Sequence, residues 1–261
     1  MKTIVLSFDD ARRDFYTQAF PILKKYELPS TLNVISSYLS DFNREGHISF
    51  PSSKQGISID QLLECYKSGL VEIACHGANH LNTKEDVERN LEELRGMGVG
   101  EQILGFASPE SVITEQNKNE KGIWKLVEDG QLLYVRSGIQ IRREGYVYAA
   151  LSLLDRYIHS NSLFRYLNRK NVIINVSNDQ ILPSVAIFSY TKLHQVFSFI
   201  EKLKDSSATI LMFHSILRNG DEGYGCDRYY WDAEEFESLC AFLKSRSDIR
   251  VCMTKDLIEQ N

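Results

Sequence analysis

The amino-acid sequence predicts an α/β protein, and three observations support that prediction. Apolar runs rich in β-branched residues alternate with helix-period segments along most of the 261 residues. Several of these runs, such as TIVLSF, VEIAC and TILMF, are continuously apolar, as expected for parallel strands that are covered on both faces. About eight strand–helix units in a chain of this length favour a (β/α) barrel, although an open doubly wound sheet also fits the alternation.

The predicted strands are short apolar runs bounded by polar or turn-forming residues. In chain order they are Thr3–Phe8, Thr31–Ile35, Val71–Cys75, Ile103–Ala107, Leu132–Arg136, one strand within Val172–Phe188, Thr209–Phe213 and Ile249–Met253. Because strand and helix alternate, right-handed crossovers are expected to join neighbouring strands in parallel.

The predicted helices have apolar residues spaced three and four apart. They are Phe15–Tyr26, Ile59–Ser68, Thr83–Met97, Gly122–Glu128, Thr191–Lys204 and Ala233–Ser245. Thr83 with Asp86 resembles a capping box, which marks the start of the third helix. Two segments interrupt the alternation and are expected to be loops: Asp41–Gly56 and the Gly- and Tyr-rich Leu217–Trp231.

Composition narrows the class of protein. The 30 basic and 35 acidic residues give a net charge of −5, which argues against a dedicated nucleic-acid or anionic-membrane surface. No stretch approaches the ~20 apolar residues of a membrane-spanning helix, and the start MKTIVLSFDD is too short in apolar residues for a signal peptide. The five cysteines are scattered and lack CxxC spacing, as in reduced cytoplasmic proteins. We therefore expect a cytoplasmic protein with one domain over residues 1–261.

Polar residues follow several predicted strands directly. Asp9 and Asp10 follow TIVLSF, His76 and His80 follow VEIAC, Ser108-Pro109-Glu110 follows ILGFA, Arg136 ends LLYVR, and His214 follows TILMF. Because α/β barrels build their active sites at the carboxyl ends of their strands, these side chains are expected to converge.

The sequence HGANH is the clearest candidate for metal binding. His76 and His80 are four residues apart and can present two imidazole nitrogens to one ion, with Asp10 as the third ligand of a catalytic zinc-type site. The alternative is a chance HxxxH pair on a loop. Neighbouring carboxylates such as Asp9 and Asp10 repel each other unless one is neutralised, which a divalent cation on Asp10 would do, leaving Asp9 as a nearby base. The alternative for this pair is a helix cap, and for His214 a buried core histidine.

Taken in order, these residues resemble the polysaccharide deacetylase family that shares the NodB homology domain (carbohydrate esterase family 4). The family's first motif, Thr-Phe-Asp-Asp-Gly, is matched by Ser7–Ala11, and its second, His-Ser/Thr-x-x-His, by His76–His80. Its last motif, Leu-x-His, is matched loosely by Met212-Phe213-His214. The resemblance runs from about Thr3 to Thr254, with a less similar middle between about Ile139 and Asn178.

The resemblance implies a distorted (β/α) barrel of seven or eight parallel strands and a metal-dependent deacetylase. It implies that Asp10, His76 and His80 bind one divalent ion. Zn²⁺ is the expected metal, and other divalent ions are also consistent with these ligands. It further implies that Asp9 is the general base and that His214 is the general acid that protonates the departing amine.

Two of the family's motifs are altered here. The third motif usually carries an Arg before its Pro, but Ala107 stands at that position. Arg136 on the next strand is the candidate replacement; the alternative is that Arg136 forms only a structural ion pair. The turn at Pro109 and Glu110 is the candidate for an oxyanion-binding backbone N–H. The fourth motif, an Asp with Trp, has no clear match.

Three functions are consistent with this sequence. The first is hydrolysis of an N-acyl group, with acetyl the expected one, from a saccharide or sugar-containing precursor. The second is hydrolysis of a non-sugar amide, and the third is a catalytically silent binding barrel. In the first, Tyr224 and Trp231 of the Leu217–Trp231 loop could stack on a sugar ring, whereas otherwise they pack on the surface or form an oligomer contact. No nucleic-acid partner is expected, and the oligomeric state is not indicated.

Overall fold

Seven parallel strands close into a barrel in the computed structural model, which describes residues 1–42, 48–99, 104–138, 145–174 and 180–258. They are β1 (Lys2–Phe8), β2 (Ser30–Val34), β3 (Val71–Cys75), β4 (Leu104–Ala107), β5 (Leu132–Gly138), β7 (Leu182–Ala186) and β8 (Ala208–Phe213). The strands pair in this order, and β8 returns to β1 with a register from Thr3↔Ala208 to Phe8↔Phe213. This closure confirms the predicted barrel and excludes the open sheet.

Two further strands distort the barrel at the amino ends of its strands. Strand β11 (Ile249–Cys252) pairs with the first half of β1, whereas β2 meets β1 only at Ser7 and Phe8. Since β8 occupies the other edge of β1, β11 fills a gap between β1 and β2. Strand β6 (Val172–Ile173) pairs antiparallel with the start of β8. The single strand predicted within Val172–Phe188 is therefore two, β6 and β7.

A short parallel pair lies outside the barrel, after the last barrel strand. Its strands are β9 (Ser215–Leu217), which follows His214, and β10 (Tyr230–Asp232). The loop between them, which the sequence predicts, is anchored to the segment around Ser52, because the Asp227 carboxylate accepts a hydrogen bond from the backbone N–H of Ser52.

The helices cover the outside of the barrel. They are α1 (Phe20–Tyr26), α2 (Ile59–Lys67), α3 (Lys84–Gly96), α4 (Ile123–Glu128), α5 (Tyr146–Ile158), α6 (Asn161–Asn168), α7 (Leu193–Glu201), α8 (Ala233–Ser245) and α9 (Lys255–Ile258). Ser58 and Gln61 form a capping box on α2, and the Thr83 hydroxyl caps α3. No helix in the described ranges is long and apolar enough to span a membrane.

Two predicted helical regions differ from the observed ones. The helix predicted over Phe15–Tyr26 begins as a π-helical segment, where the Phe20 N–H donates to the Phe15 carbonyl five residues earlier and Pro21 has no N–H to donate. Helices α5 and α6 are absent from the sequence-based assignment. Ile103, the predicted start of β4, lies outside the described residues.

Alternation along the strands separates two buried layers. Ile4, Leu6 and Phe8 of β1 join the large apolar cluster beneath the helices, whereas Val5 joins a second cluster with Tyr134. Ser7 lies on the same side of β1 as Val5, at the carboxyl end of the strand. The barrel interior therefore holds an apolar cluster around Val5 and Tyr134 together with buried polar side chains, which include Ser7 and Glu72. The candidate site lies at the carboxyl ends of the strands.

Candidate active site

Three side chains remote from one another in sequence meet at the carboxyl ends of β1 and β3. Within the described part of the chain, the ligand atoms of Asp10, His76 and His80 all lie within 4.8 Å of one another. Asp10 Oδ1 is 3.4 Å from His76 Nε2 and 3.8 Å from His80 Nε2. Two imidazole nitrogens and one carboxylate oxygen thus face a common point, as the sequence analysis expects.

Local backbone geometry turns these side chains inward. Asp10 (φ 78°) and His80 (φ 60°) adopt the left-handed conformation, which costs a non-glycine residue of order 1 kcal/mol or more. The Asp86 carboxylate on α3 accepts hydrogen bonds from the backbone N–H groups of Asn79 and Leu81 and so fixes the loop that holds His80. Gly77 is required there, because its φ is +81° and a Cβ would lie 2.6 Å from Asp86 Oδ2.

His76 is oriented by a carbonyl of the neighbouring strand. Its Nδ1 lies 2.7 Å from the Ala107 carbonyl oxygen of β4, which can only accept, so Nδ1 carries the proton. The lone pair of Nε2 is therefore directed toward Asp10. This arrangement, in which the second ring nitrogen donates to a carbonyl, is typical of histidines that bind metals.

Arg12 fixes the carboxylate of Asp10. Its Nε and Nη2 lie 2.8 and 2.7 Å from Asp10 Oδ2, which leaves Oδ1 to face the two imidazoles. Arg12 is 1% exposed and also donates to the hydroxyls of Ser52 and Ser215, while Phe50 covers its guanidinium at 4.2 Å. Burial would raise the pKa of Asp10, but Arg12 together with His76 and His214 outweighs it and holds that pKa well below its usual range.

Asp9 is held by a cation from β5 and an amide from β2. Arg136 Nη2 lies 2.6 and 2.7 Å from the two carboxylate oxygens, and Asn33 Nδ2 donates to Oδ1 at 2.8 Å. Burial raises the pKa of Asp9, but Arg136 together with His76 and His214 more than offsets it and leaves the pKa below its usual value. Arg136, in turn, donates to Ser184 of β7. The guanidinium of Arg136 thus lies next to the Asp9 carboxylate. In the altered third motif, Ala107 stands where the arginine expected near that carboxylate would be.

His214 lies next to the same carboxylates, where β8 ends. Its ring packs edge-on against Tyr229 at 5.0 Å between centroids and stacks on Phe188 at 6.4 Å. Burial lowers the pKa of His214 to about 4, against the opposing effect of Asp10. Its Nδ1 is buried and has no hydrogen-bond partner in the ranges that the structure describes.

The remaining predicted site residues fall in different places. Pro109 is buried and Glu110 exposed in a turn directly after β4, where Glu110 has a positive φ of 53°. Tyr224 packs on Tyr230 in the loop between β9 and β10. Trp231 is 1% exposed, and its indole N–H donates to the Thr191 carbonyl, so the structure places it in the core rather than against a ligand.

Sequence reasoning missed several residues of this site. Arg12 and Asn33 hold the two aspartates, and Tyr229 rather than Trp231 is the aromatic ring beside His214. A basic residue two positions after Asp10 was the available signal for Arg12, although Arg13 beside it carries the same charge.

A family model and curated relatives are similar to this chain in sequence. A family model described as polysaccharide deacetylase matches residues 1–140. The poly-beta-1,6-N-acetyl-D-glucosamine N-deacetylase of Staphylococcus aureus (strain MRSA252) is 28% identical over 130 residues, 50% of this chain and 38% of that protein. The corresponding Staphylococcus epidermidis protein is 32% identical over 75 residues, 29% of this chain and 24% of that protein. The matched part of the chain thus spans well under half the length of these relatives.

Two solved structures cover nearly the whole chain. The Xyl-CE4 domain of a multidomain xylanase from the hindgut metagenome of Trinervitermes trinervoides has a TM-score of 0.52 at 14% identity, over 99% of this chain and 90% of that one. A family 4 acetyl xylan esterase from Clostridium thermocellum, solved with a cobalt ion, has a TM-score of 0.51 at 12% identity, over 99% and 91%. At these identities, the likeness shows the fold alone.

The fold and the clustered side chains define the class of protein, a distorted (β/α) barrel with its polar site at the carboxyl ends of the strands. Because the matching family model covers more than half of the sequence, the chain belongs to the polysaccharide deacetylase family. The resemblance seen in the sequence is therefore confirmed.

Proposed function

We propose that this protein is a metal-dependent hydrolase that removes an N-acyl group, with acetyl the expected one, from an N-acylated saccharide. One observation supports the proposal most strongly. Asp10, His76 and His80 present three ligand atoms within 4.8 Å of one another, with the Asp9 carboxylate beside them. A catalytically silent binding barrel needs neither this cluster nor the buried arginines, Arg12 and Arg136, that hold the two aspartates.

The donor set fits a divalent cation. Two imidazole nitrogens and a carboxylate oxygen are a common ligand set for catalytic Zn²⁺, and the hydrogen bond from His76 to Ala107 leaves the correct nitrogen available. His76, His80 and Asp10 would hold the ion. When bound, such an ion polarises the amide carbonyl and lowers the pKa of the attacking water to about 7.

Asp9 and His214 divide the proton transfers. Asp9 Oδ2 lies 4.0 Å from His76 Nε2, so the carboxylate is placed to accept the proton of the nucleophile. Arg136 and Asn33 orient the carboxylate and keep it from turning toward Asp10. His214 gives a proton to the departing nitrogen. Because its pKa is about 4, His214 is uncharged before the reaction. The proton that it delivers is the one that Asp9 takes from the nucleophile, so its transfer returns Asp9 to the ionised form.

Features next to the site support a saccharide substrate. The Staphylococcus aureus relative is named for an N-acetylated glucosamine polymer, and the aligned region includes half of this chain. In this chain, the Tyr229 ring lies 5.0 Å from the His214 ring and offers an amphipathic surface for a sugar. The turn at Pro109 and Glu110, next to the β4 carbonyl that orients His76, is the proposed place for the substrate oxyanion.

Acetate release from a panel of N-acetylated substrates tests this function. The panel holds N-acetylglucosamine oligomers, N-acetylated aminosugar monomers and N-acetylated peptides, each assayed with Zn²⁺-loaded protein. We expect release from a saccharide, and a loss of at least about 10²-fold in kcat in Asp9→Asn with unchanged metal content. Asp60→Asn on the exposed face of α2 is the matched control and keeps full activity.

Two results would overturn the proposal. Release from the peptides alone would identify a hydrolase of non-sugar amides. A fully metal-loaded protein without activity on any amide would favour the silent barrel. An Asp9→Asn variant as active as the wild type would instead show that Asp9 is not the general base.

A further inference from the structure

A cluster of aromatic rings lies beside His214 at the edge of the candidate active site. Phe188, which follows β7, stacks on the His214 ring at 6.4 Å between centroids, and Tyr229 packs edge-on against the same ring at 5.0 Å. Tyr190 extends the cluster, because its ring lies 5.4 Å from that of Phe188. Phe188, Tyr190 and Tyr229 are all half-buried, so part of the cluster is open to solvent.

Arg228 places a positive charge on these rings. The centre of its guanidinium lies 5.0 Å from the centre of the Tyr229 ring and 5.3 Å from that of the Phe188 ring. Its Nη2 donates to the Tyr229 hydroxyl at 2.9 Å. Two steps of 5.0 Å, from the guanidinium to the Tyr229 ring and from there to the His214 ring, keep the cation within about 10 Å of the imidazole. A saccharide held at the metal site can span this distance.

No carboxylate in the described part of the chain forms an ion pair with Arg228. The adjacent Asp227 is bonded elsewhere, because its two oxygens accept from the backbone N–H groups of Ser52 at 3.0 Å and Tyr229 at 2.6 Å. The partner that Arg228 does have, the Tyr229 hydroxyl, is uncharged. The charge of Arg228 is therefore not neutralised within the protein.

A second arginine lies on the same cluster. Arg156 of α5 lies over the Tyr190 ring at 4.7 Å, and it forms no ion pair with a carboxylate of the described residues. Burial raises the pKa of Tyr190 against the opposing effects of Arg156 and Arg228, so both charges lie near this phenol. The cluster thus combines aromatic surface, which suits a sugar ring, with two cations.

We propose that Arg228, together with Arg156, forms a subsite for an anionic group, a carboxylate or a phosphate, on the saccharide substrate. The proposal rests on the proposed function, in which His214 protonates the departing nitrogen, so that the sugar rather than the acyl group lies beside its ring. Arginine matches carboxylate and phosphate oxygens with parallel N–H donors. The two aspartates of the site do not repel such a group, because each is paired with a buried arginine.

The loop that carries Arg228 is held in place without its guanidinium. The backbone N–H of Ser189 donates to the Arg228 carbonyl at 3.1 Å, and the backbone N–H of Ser215 donates to the Tyr229 carbonyl at 3.1 Å. The Asp227 carboxylate binds the loop to Ser52. Substituting the Arg228 side chain is therefore expected to leave the loop in its conformation.

Binding of matched saccharides to the Zn²⁺-loaded protein, measured by isothermal titration calorimetry, tests the subsite. One pair is N-acetylglucosamine and its 6-phosphate; the other is the disaccharide of two N-acetylglucosamine units and the disaccharide of glucuronic acid and N-acetylglucosamine. We expect the Kd of the anionic member to be at least about 10-fold lower than that of the neutral member in one pair or both. The pair that shows the preference identifies phosphate or carboxylate.

Three variants locate the preference. In Arg228→Met it should disappear while the Kd of the neutral saccharide stays unchanged, and Arg228→Lys should keep part of it because the charge remains. Arg95→Met, which removes an exposed arginine on α3, is the matched control and keeps the wild-type preference. Circular dichroism checks that each variant is folded.

Equal affinities within both pairs would overturn the proposal. A preference that survives in Arg228→Met would also overturn it and would assign the anion to the metal ion instead. Acetate release from the same saccharides separates the subsite from the proposed function. Release from a neutral saccharide without any anionic preference would support the hydrolase and reject the subsite, whereas an Arg228-dependent preference without release from any saccharide would support the subsite and reject the hydrolase.

Discussion

Asp14→Asn is expected to change how stability depends on pH. Asp14 lies four residues after Asp10, and its Oδ1 accepts a 2.7 Å hydrogen bond from the backbone N–H of Ile216, two residues after His214. Its Oδ2 is buried without a partner in the described ranges, and burial raises the pKa of Asp14 from 3.8 to about 6 despite the nearby Arg12. The folded protein therefore holds a proton on this group more tightly than the unfolded chain.

The sign and size of the effect follow from linkage. Because the pKa is raised by folding, ionising Asp14 destabilises the native state, so its contribution to stability falls as pH rises from 3.8 through about 6. At about 1.4 kcal/mol per pH unit, the full difference is about 3 kcal/mol, of which about 2 kcal/mol falls between roughly pH 4.5 and 7.5. Asn keeps the oxygen that accepts from Ile216 but does not titrate.

Urea unfolding of both proteins, freed of metal with EDTA, measures this difference. The free energy of unfolding of Asp14→Asn relative to wild type should rise by about 2 kcal/mol between roughly pH 4.5 and 7.5. Parallel pH profiles for the two proteins would refute the reasoning, because they would mean that Asp14 ionises normally in the folded state.

Two further substitutions test the contacts around the site. Arg136→Met should lower kcat for acetate release about 10²-fold with unchanged metal content, because Asp9 loses the cation that lies 2.6 Å away; equal kcat would show that this pair is only structural. Gly105→Ala should lower the free energy of unfolding by about 3 kcal/mol, because the new Cβ would lie 1.9 Å from the ring of Tyr134; a urea midpoint like that of wild type would contradict the packing of the barrel interior.

The sequence predicts the barrel and the placement of most polar side chains because both depend on short-range patterns. Continuous apolar runs mark parallel strands, and a polar residue directly after such a run lies at the carboxyl end of a strand whatever the exact register. Asp9, Asp10, His76 and His214 could therefore be assigned to one end of the barrel without coordinates.

Other parts of the site depend on long-range pairing, which no local pattern reports. Asn33 is one polar residue within β2, and only the register of β2 beside β1 brings it to Asp9. Trp231 and Tyr229 are two residues apart, and only the register of β10 beside β9 sets Trp231 beside the buried Ile216 and Tyr229 next to the ring of His214. The orientation of α5 could not be predicted from periodicity. The apolar residues of this helix share one face, but the pattern does not show whether that face, which includes Tyr146 and Tyr157, is buried or exposed.

The metal content of the purified protein tests the central claim most directly. Wild type, His76→Ala and the control His194→Ala, which removes a histidine remote in sequence from the cluster, are purified without an affinity tag, incubated with excess Zn²⁺, dialysed and measured by elemental analysis. We expect about one ion per chain in the wild type and in His194→Ala, and a loss of most of it in His76→Ala. Equal metal content in all three proteins, or none in the wild type, would contradict the assignment of Asp10, His76 and His80 as a metal site.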